Sequence, residues 1–218
     1  MNSREDTALA AAEFLLQIKS IKLSPENPFT WASGLRSPIY CDNRKILSYP
    51  RIRTFVRQEM ARIIQDEFGT PDVIAGVATG AIAIGVLVAQ ELGLPFVYIR
   101  SRAKEHGLTN QVEGVLEAGQ SVVVVEDLIS TGMSSLAAVN AVRDAGCTVK
   151  GMAAIFSYEL HAAQDNFRKA GCSLHTLTNY STLVRQASDA GYISAENLRS
   201  LQEWRKDPTA WSDRHMTS

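Results

Sequence analysis

Three features of this 218-residue chain predict an α/β fold, a mainly parallel twisted sheet flanked by helices. Short apolar runs recur through the middle of the sequence, at "DVIAGV" (72–77), "FVYIR" (96–100), "SVVVVE" (121–126), "TVKGMAAIFS" (148–157) and "SLHTLT" (173–178). Helix-like segments alternate with them, which is the pattern of crossover units. The runs are apolar nearly throughout instead of alternating, as strands covered on both faces are.

Taken in order, residues 5–20 read as an amphipathic helix. Acidic residues stand before its short apolar stretch, where a secretory signal would carry positive charge. Residues 22–50 are rich in Pro, Ser and Asn and suit a hood of loops and short strands. A helix follows over 51–68, with Ile52, Phe55, Val56, Met60, Ile63 and Ile64 on one side. "VIAGVATGAIAIGVLVAQELG" (73–93) has the length of a membrane span, but Gly76, Thr79, Gly80 and Gly85 interrupt it. It reads as a buried strand, a turn and a helix over 80–92. Further helices are expected over 133–145, closed by Gly146, over 159–170 before Gly171, and over 180–205. Residues 207–218 are expected to fray. The expectation is one domain spanning 1–218, with the hood mainly in 1–50, the core in 51–205 and a tail over 206–218.

Composition excludes several classes. The 22 basic and 23 acidic residues nearly cancel, so no global field favours nucleic acid or an anionic membrane. Cys41, Cys147 and Cys172 share no CxxC spacing, which argues against a zinc ribbon or a disulfide framework and fits a cytoplasmic setting. Neither GxxxxGK[ST] nor GxGxxG occurs.

Open parallel sheets bind ligands beyond the carboxyl ends of their strands, and three unusual stretches fall there. In "VVVVEDLISTGMSS", four valines meet two adjacent carboxylates, Glu126 and Asp127, and then a Ser/Thr/Gly loop entering a helix. Backbone N–H groups, hydroxyls and a helix dipole converge in such a loop and suit a phosphate. The acids would repel a phosphate but can accept from sugar hydroxyls or hold a hydrated magnesium ion. Phosphate and diol side by side describe a ribose 5-phosphate. The alternative is a plain N-cap at Ser130 or Thr131 with solvated acids. "RSRAKEHGLTNQVEG" (100–114) is long, polar and cationic, as a lid over a polyphosphate would be, or as a solvated loop or hairpin would be. "VATGA" (77–81) is a second anion turn or a plain strand–helix turn. "WASGLRSPIYCDNR" (31–44) offers an aromatic ring with Arg36 and Arg44, which suits a flat acidic ligand.

Together these residues resemble the type I phosphoribosyltransferases. "VVVVEDLISTGMS" is similar to that family's signature for phosphoribosyl diphosphate. "FTWASGLRSPIYCDNR" and "RSRAKEHGLTNQVEG" are similar to the N-terminal hood and the mobile catalytic loop of orotate phosphoribosyltransferases. The resemblance implies the type I phosphoribosyltransferase fold and transfer of a 5-phosphoribosyl group to orotate, giving orotidine 5'-monophosphate and diphosphate in pyrimidine synthesis. It further implies Mg²⁺ and a homodimer with shared active sites, without nucleic acid or membrane.

By the same resemblance, Glu126 and Asp127 engage the ribose hydroxyls and, through substrate and water, the metal. Leu128, Ile129, Ser130, Thr131, Gly132, Met133 and Ser134 wrap the 5'-phosphate, and Ser130 also meets orotate. Ala78 and Thr79 line the diphosphate side. Arg100, Lys104 and His106 meet the diphosphate, with Arg100 and the loop cations coming from different subunits. Lys104, His106 and Asp127 are the catalytic candidates.

The chain departs from some bacterial members at Ala32, Thr79 and Ser101, where those carry Lys. It also shows no Asp-Arg near 157–159. Arg44, then Arg36, are the candidates for holding the orotate carboxylate. A purine-type phosphoribosyltransferase would share the phosphate loop without needing the hood. A regulator that had kept only the fold would be expected to lose the loop cations, which this chain retains.

Overall fold

The computed structural model describes residues 4–31, 33–100 and 111–216. In chain order, α1 (Arg4–Gln17) leads into β1 (Ile21–Leu23), β2 (Phe29–Thr30), β3 (Arg36–Ser37) and β4 (Ile39–Cys41), then a 3₁₀ helix over Asn43–Ser48. The core follows as α2 (Pro50–Phe68), β5 (Val73–Val77), α3 (Ile82–Leu92), β6 (Phe96–Ile99), β7 (Val112–Glu113) and β8 (Ser121–Ile129). It continues through α4 (Met133–Asp144), β9 (Thr148–Ser157), α5 (His161–Lys169) and β10 (Leu174–Asn179). Three helices complete the described chain, α6 (Tyr180–Asp189), α7 (Ala195–Lys206) and α8 (Pro208–His215).

The main sheet has the order β10-β9-β8-β5-β6-β7. All its pairings are parallel except β6 with β7. The expected α/β class is therefore present, with the five predicted strands forming its body. Val122 to Val125, at its centre, are fully buried, which requires cover on both faces. α1 and α2 pack on β9 and β10, α2 also on α3, and α4 packs with α5 over β8 and β9. The apolar stretch 73–93 is β5 and α3, and no described helix is long and apolar enough to cross a membrane.

Three expectations require correction. The strand predicted to end at Glu126 runs on to Ile129, because β9 stays alongside as its partner as far as Ser157. The helix predicted over 180–205 is two, broken at Gly191, whose φ of 72° lies in the left-handed region. The tail predicted to fray contains α8. Its N-cap Asp207 accepts from the Ala210 N–H at 2.9 Å, Pro208 opens it, and Trp211 is fully buried. The antiparallel pairing of β6 with β7 agrees with the hairpin alternative for 100–114. The far end of the 100–114 stretch forms β7, and the Arg100 N–H donates to the Gln111 carbonyl at 2.9 Å.

The segment 22–50 does form two short antiparallel ribbons, β1 with β4 and β2 with β3. An aromatic seam joins them to the core. Trp31 stacks on Tyr158 with centroids 5.3 Å apart, and Trp204 meets both rings edge-on at 5.7 and 5.6 Å. α8 closes the seam from outside, where the Arg36 N–H donates to Ser212 Oγ at 2.9 Å. Trp211→Ala should therefore destabilise the protein by about 3–5 kcal/mol, the usual cost of emptying a buried tryptophan site. Urea unfolding checks this, and a frayed tail would give no change.

Candidate functional site

The site forms where β5 and β8 part company. β5 pairs with β8 only as far as Gly76 opposite Val125, whereas β8 continues along β9 through Ile129. The last residues of β8 therefore lack a strand neighbour on the β5 side, and a cleft of about 500 Å³ opens there. Its walls include Glu126, Asp127, Leu128, Ser130, Thr131, Gly132 and Ser134 from β8 and the following loop. Ala78, Thr79 and Gly80 come from the turn after β5, Arg100 from the end of β6, and Cys41, Asp42 and Arg44 from the hood. Four stretches separated in sequence thus meet in one cleft.

The two acids divide the work. Glu126 is 5% exposed, and both its oxygens are engaged: Oε1 accepts from the Asp127 N–H at 3.0 Å and Oε2 from Ser135 Oγ at 2.9 Å. Burial, and then the neighbouring Asp127 charge, pushes its carboxyl well above the ordinary range. The half-buried Asp127 side chain instead lies over Gly80. A Cβ placed there would stand 2.3 Å from Asp127 Oδ2, so only glycine lets the turn approach the carboxylate this closely. It shares a side-chain hydrogen bond with the Glu126 carboxyl behind it and lines the cleft, within reach of a ligand.

The loop after β8 is built for an anion. The N-cap of α4 is Gly132, at φ 77°, and no side chain caps the helix. This removes the plain N-cap reading of Ser130 and Thr131. The first-turn N–H groups have no intrahelical carbonyl to meet, so they face the cleft with the positive end of the dipole behind them. α5 supports the loop from behind: Asn166 Nδ2 donates to the Thr131 carbonyl at 3.0 Å, and Phe167 packs against Gly132. Of the predicted loop residues, Ile129 is fully buried and Met133 points out to solvent, so these two offer only backbone.

On the hood wall, Arg44 Nε lies 2.7 Å from Asp42 Oδ1 and the side chain stays mostly exposed. Arg36 is not brought to the cleft. Its guanidinium donates to Thr30 Oγ1 at 3.1 Å, and it lines a separate hollow with Glu26, Glu196 and His215. Arg100 pairs with Glu113 at 3.5 Å while lining the cleft. Ala32, Ser101, Lys104 and His106 lie outside the described residues. Cys41 lines the cleft too. Burial, then the Asp127 and Asp42 charges, pushes its thiol up and keeps it neutral, which disqualifies it as a nucleophile.

Sequence reasoning passed over Asn43, Gly80 and Ser135, which touch the acid-bearing strand directly. Ser135 lies in the first turn of α4, at the end of "VVVVEDLISTGMSS", and only the fold aims its hydroxyl at Glu126. Asn43 was visible only as the middle of "CDNR".

The raised Glu126 carboxyl has a consequence for stability. The folded protein holds this proton at pH values where the unfolded chain has already released it. Its cost to stability is therefore absent below the ordinary glutamate range, and it grows as pH rises from there toward the raised folded value. Glu126→Gln removes that cost. Thermal melts should show the variant gaining on the wild type as pH increases through this window, with no gain at the acid end. Parallel curves would contradict it.

The chain matches the family model described as phosphoribosyl transferase domain over residues 43–173. It is 57% identical over 200 residues to orotate phosphoribosyltransferase of Porphyromonas gingivalis, covering 92% of this chain and 95% of that one. The corresponding protein of Phocaeicola vulgatus is 58% identical over 200 residues, covering 92% and 94%. In three dimensions the chain is similar to the crystal structure of orotate phosphoribosyltransferase from Aeropyrum pernix. The TM-score is 0.73 at 25% identity, over 84% of this chain and 99% of the other. The cleft between β5 and β8, with its paired acids and uncapped helix start, is thus set in a chain that belongs to the orotate phosphoribosyltransferase family.

Proposed function

We propose that this chain transfers the 5-phosphoribosyl group of phosphoribosyl diphosphate to orotate, releasing diphosphate and orotidine 5'-monophosphate. Besides family membership, one observation carries the assignment of roles: the Asp127 carboxylate and a helix start with no side-chain cap line the same cleft. The N–H groups of Ser130 to Ser134 bind the 5'-phosphate, and Asp127 accepts from the ribose hydroxyls. Glu126, buried and doubly bonded, supports Asp127 and shapes the floor. The turn at Ala78, Thr79 and Gly80 lines the diphosphate side with Arg100. Ser130, at the edge of the loop, and Arg44, on the hood wall, meet orotate.

The donor set also suits magnesium. Among the described residues no cluster of three or more His, Cys, Asp or Glu could cage a metal ion. A magnesium ion carried by the diphosphate needs only one or two carboxylates, and Asp127, with Glu126 behind it, meets that need. Bound there, the ion would neutralise charge on the leaving group.

The ring nitrogen of orotate attacks the anomeric carbon as the bond to diphosphate breaks. Positive character grows on the ribose, which the Asp127 carboxylate favours. Negative charge grows on the departing oxygens, where Arg100, Lys104 and His106 act as fixed cations. No covalent enzyme intermediate is needed, in keeping with the neutral Cys41 thiol. We further propose a homodimer in which Lys104 and His106 serve the partner's site, working in the cytoplasm. The free state of Cys41, Cys147 and Cys172 supports a reducing compartment.

Incubation of the pure protein with phosphoribosyl diphosphate, Mg²⁺ and separate samples of orotate, uracil, hypoxanthine and adenine tests the reaction. Only orotate should be consumed, and turnover of a purine without orotate would overturn the assignment. Lys104→Ala should lower kcat by about 10²–10³, the range for deleting one charge-stabilising donor. Arg44→Ala should raise KM for orotate roughly tenfold or more, the worth of a hydrogen bond to a charged group. KM for phosphoribosyl diphosphate should change little. Equal effects on both substrates would remove Arg44 from the base site.

A further inference from the structure

The structure assigns Asn43 as a positioning residue that holds the hood against the strand carrying Asp127. Glu126 and Leu128 register with Ala154 and Phe156 of β9, while Asp127 between them has no strand partner, because β5 has already ended at Val77. Its main-chain groups must be met by something else. The N–H goes to Glu126 Oε1, and the carbonyl accepts from Asn43 Nδ2 at 2.6 Å. Asn43 thus stands in for the missing strand.

The amide is itself held. Asn43 is 3% exposed, and Ser20 Oγ, also buried, lies 3.0 Å from Asn43 Oδ1 and 3.0 Å from the Asp42 carbonyl. A hydroxyl proton directed at Oδ1 turns the NH₂ group toward Asp127. Cys41, Asp42 and Arg44 flank Asn43 and face the cleft. One hydrogen-bonded chain, Ser20–Asn43–Asp127, therefore ties the wall that carries Arg44 to the strand that carries the cleft-lining carboxylate. In the proposed reaction, on which this inference rests, that tie sets the distance between the base and the ribose, where a small misplacement is costly.

The test is a double-mutant cycle in the full-length protein. Asp127→Asn alone should cut kcat strongly; if it does not, the proposed role of Asp127 fails, and with it the basis for Asn43. Given that loss, Asn43→Ala alone should lower kcat about tenfold or more, the scale of leaving a buried carbonyl unmet. Added to Asp127→Asn, it should cost less than threefold, because residues acting as a unit are not additive. A merely structural role would give full additivity, and either additivity or an unchanged kcat in Asn43→Ala overturns the inference. If Asn43→Ala does not fold, Ser20→Ala takes its place, since it frees the amide without emptying its site. A fall in kcat that vanishes on the Asp127→Asn background supports the tie. No fall, or an additive one, overturns it.

Discussion

Everything at this site depends on a mismatch in strand length. β5 stops alongside Val125, while β8 runs four residues further beside β9. A parallel sheet normally satisfies each strand from both sides, so the overhang leaves backbone groups that side chains or ligands must satisfy. Glu126 and Asp127 stand at that overhang. The acidic pair that interrupts four valines is therefore no intrusion into the core. It begins where the core loses one of its strands.

The overhang also explains why the two acids differ. Glu126 turns inward, is almost fully covered and spends both oxygens on Ser135 and the next N–H. Taking a carboxylate out of water is costly, and its raised affinity for a proton is the sign of that cost. Asp127 turns outward over Gly80 and presents its carboxylate to the cleft. In the proposed reaction the second acid meets the sugar, and the first keeps the second in place. The loop that follows repeats the pattern, with backbone aimed into the cleft and Asn166 and Phe167 behind it.

Much of this was legible in the sequence, for definite reasons. Strands buried on both faces show as unbroken apolar runs, so "SVVVVE" and "TVKGMAAIFS" announced the sheet directly. The phosphate loop was legible because Ser, Thr and Gly must cluster where backbone meets an anion. Its N-cap was not, since Ser130, Thr131 and Gly132 are all acceptable caps by composition and only the geometry chooses Gly132. Arg36 and Arg44 are equally basic in sequence, but Arg36 stands on β3 and reaches Thr30, whereas Arg44 stands on the 3₁₀ helix after β4 and lines the cleft. The tail misled because Asp207 and Pro208 resemble a chain end as much as a helix start. Trp211, an apolar residue placed one turn on, was the signal to follow.

Asn43 was the hardest to see, since its role follows from where another strand ends. A local motif cannot carry that information, and the hood and the sheet reach each other only in three dimensions. The account's central claim is that Asp127 is the acid that meets the sugar, with Glu126 supporting it. A crystal structure of the protein with phosphoribosyl diphosphate bound measures this directly. The account predicts the Asp127 carboxylate within hydrogen-bond reach of the ribose hydroxyls, Glu126 still bonded to Ser135, and the 5'-phosphate on the N–H groups of 130–134. A ribose held by Glu126, with Asp127 turned away from it, would contradict the account.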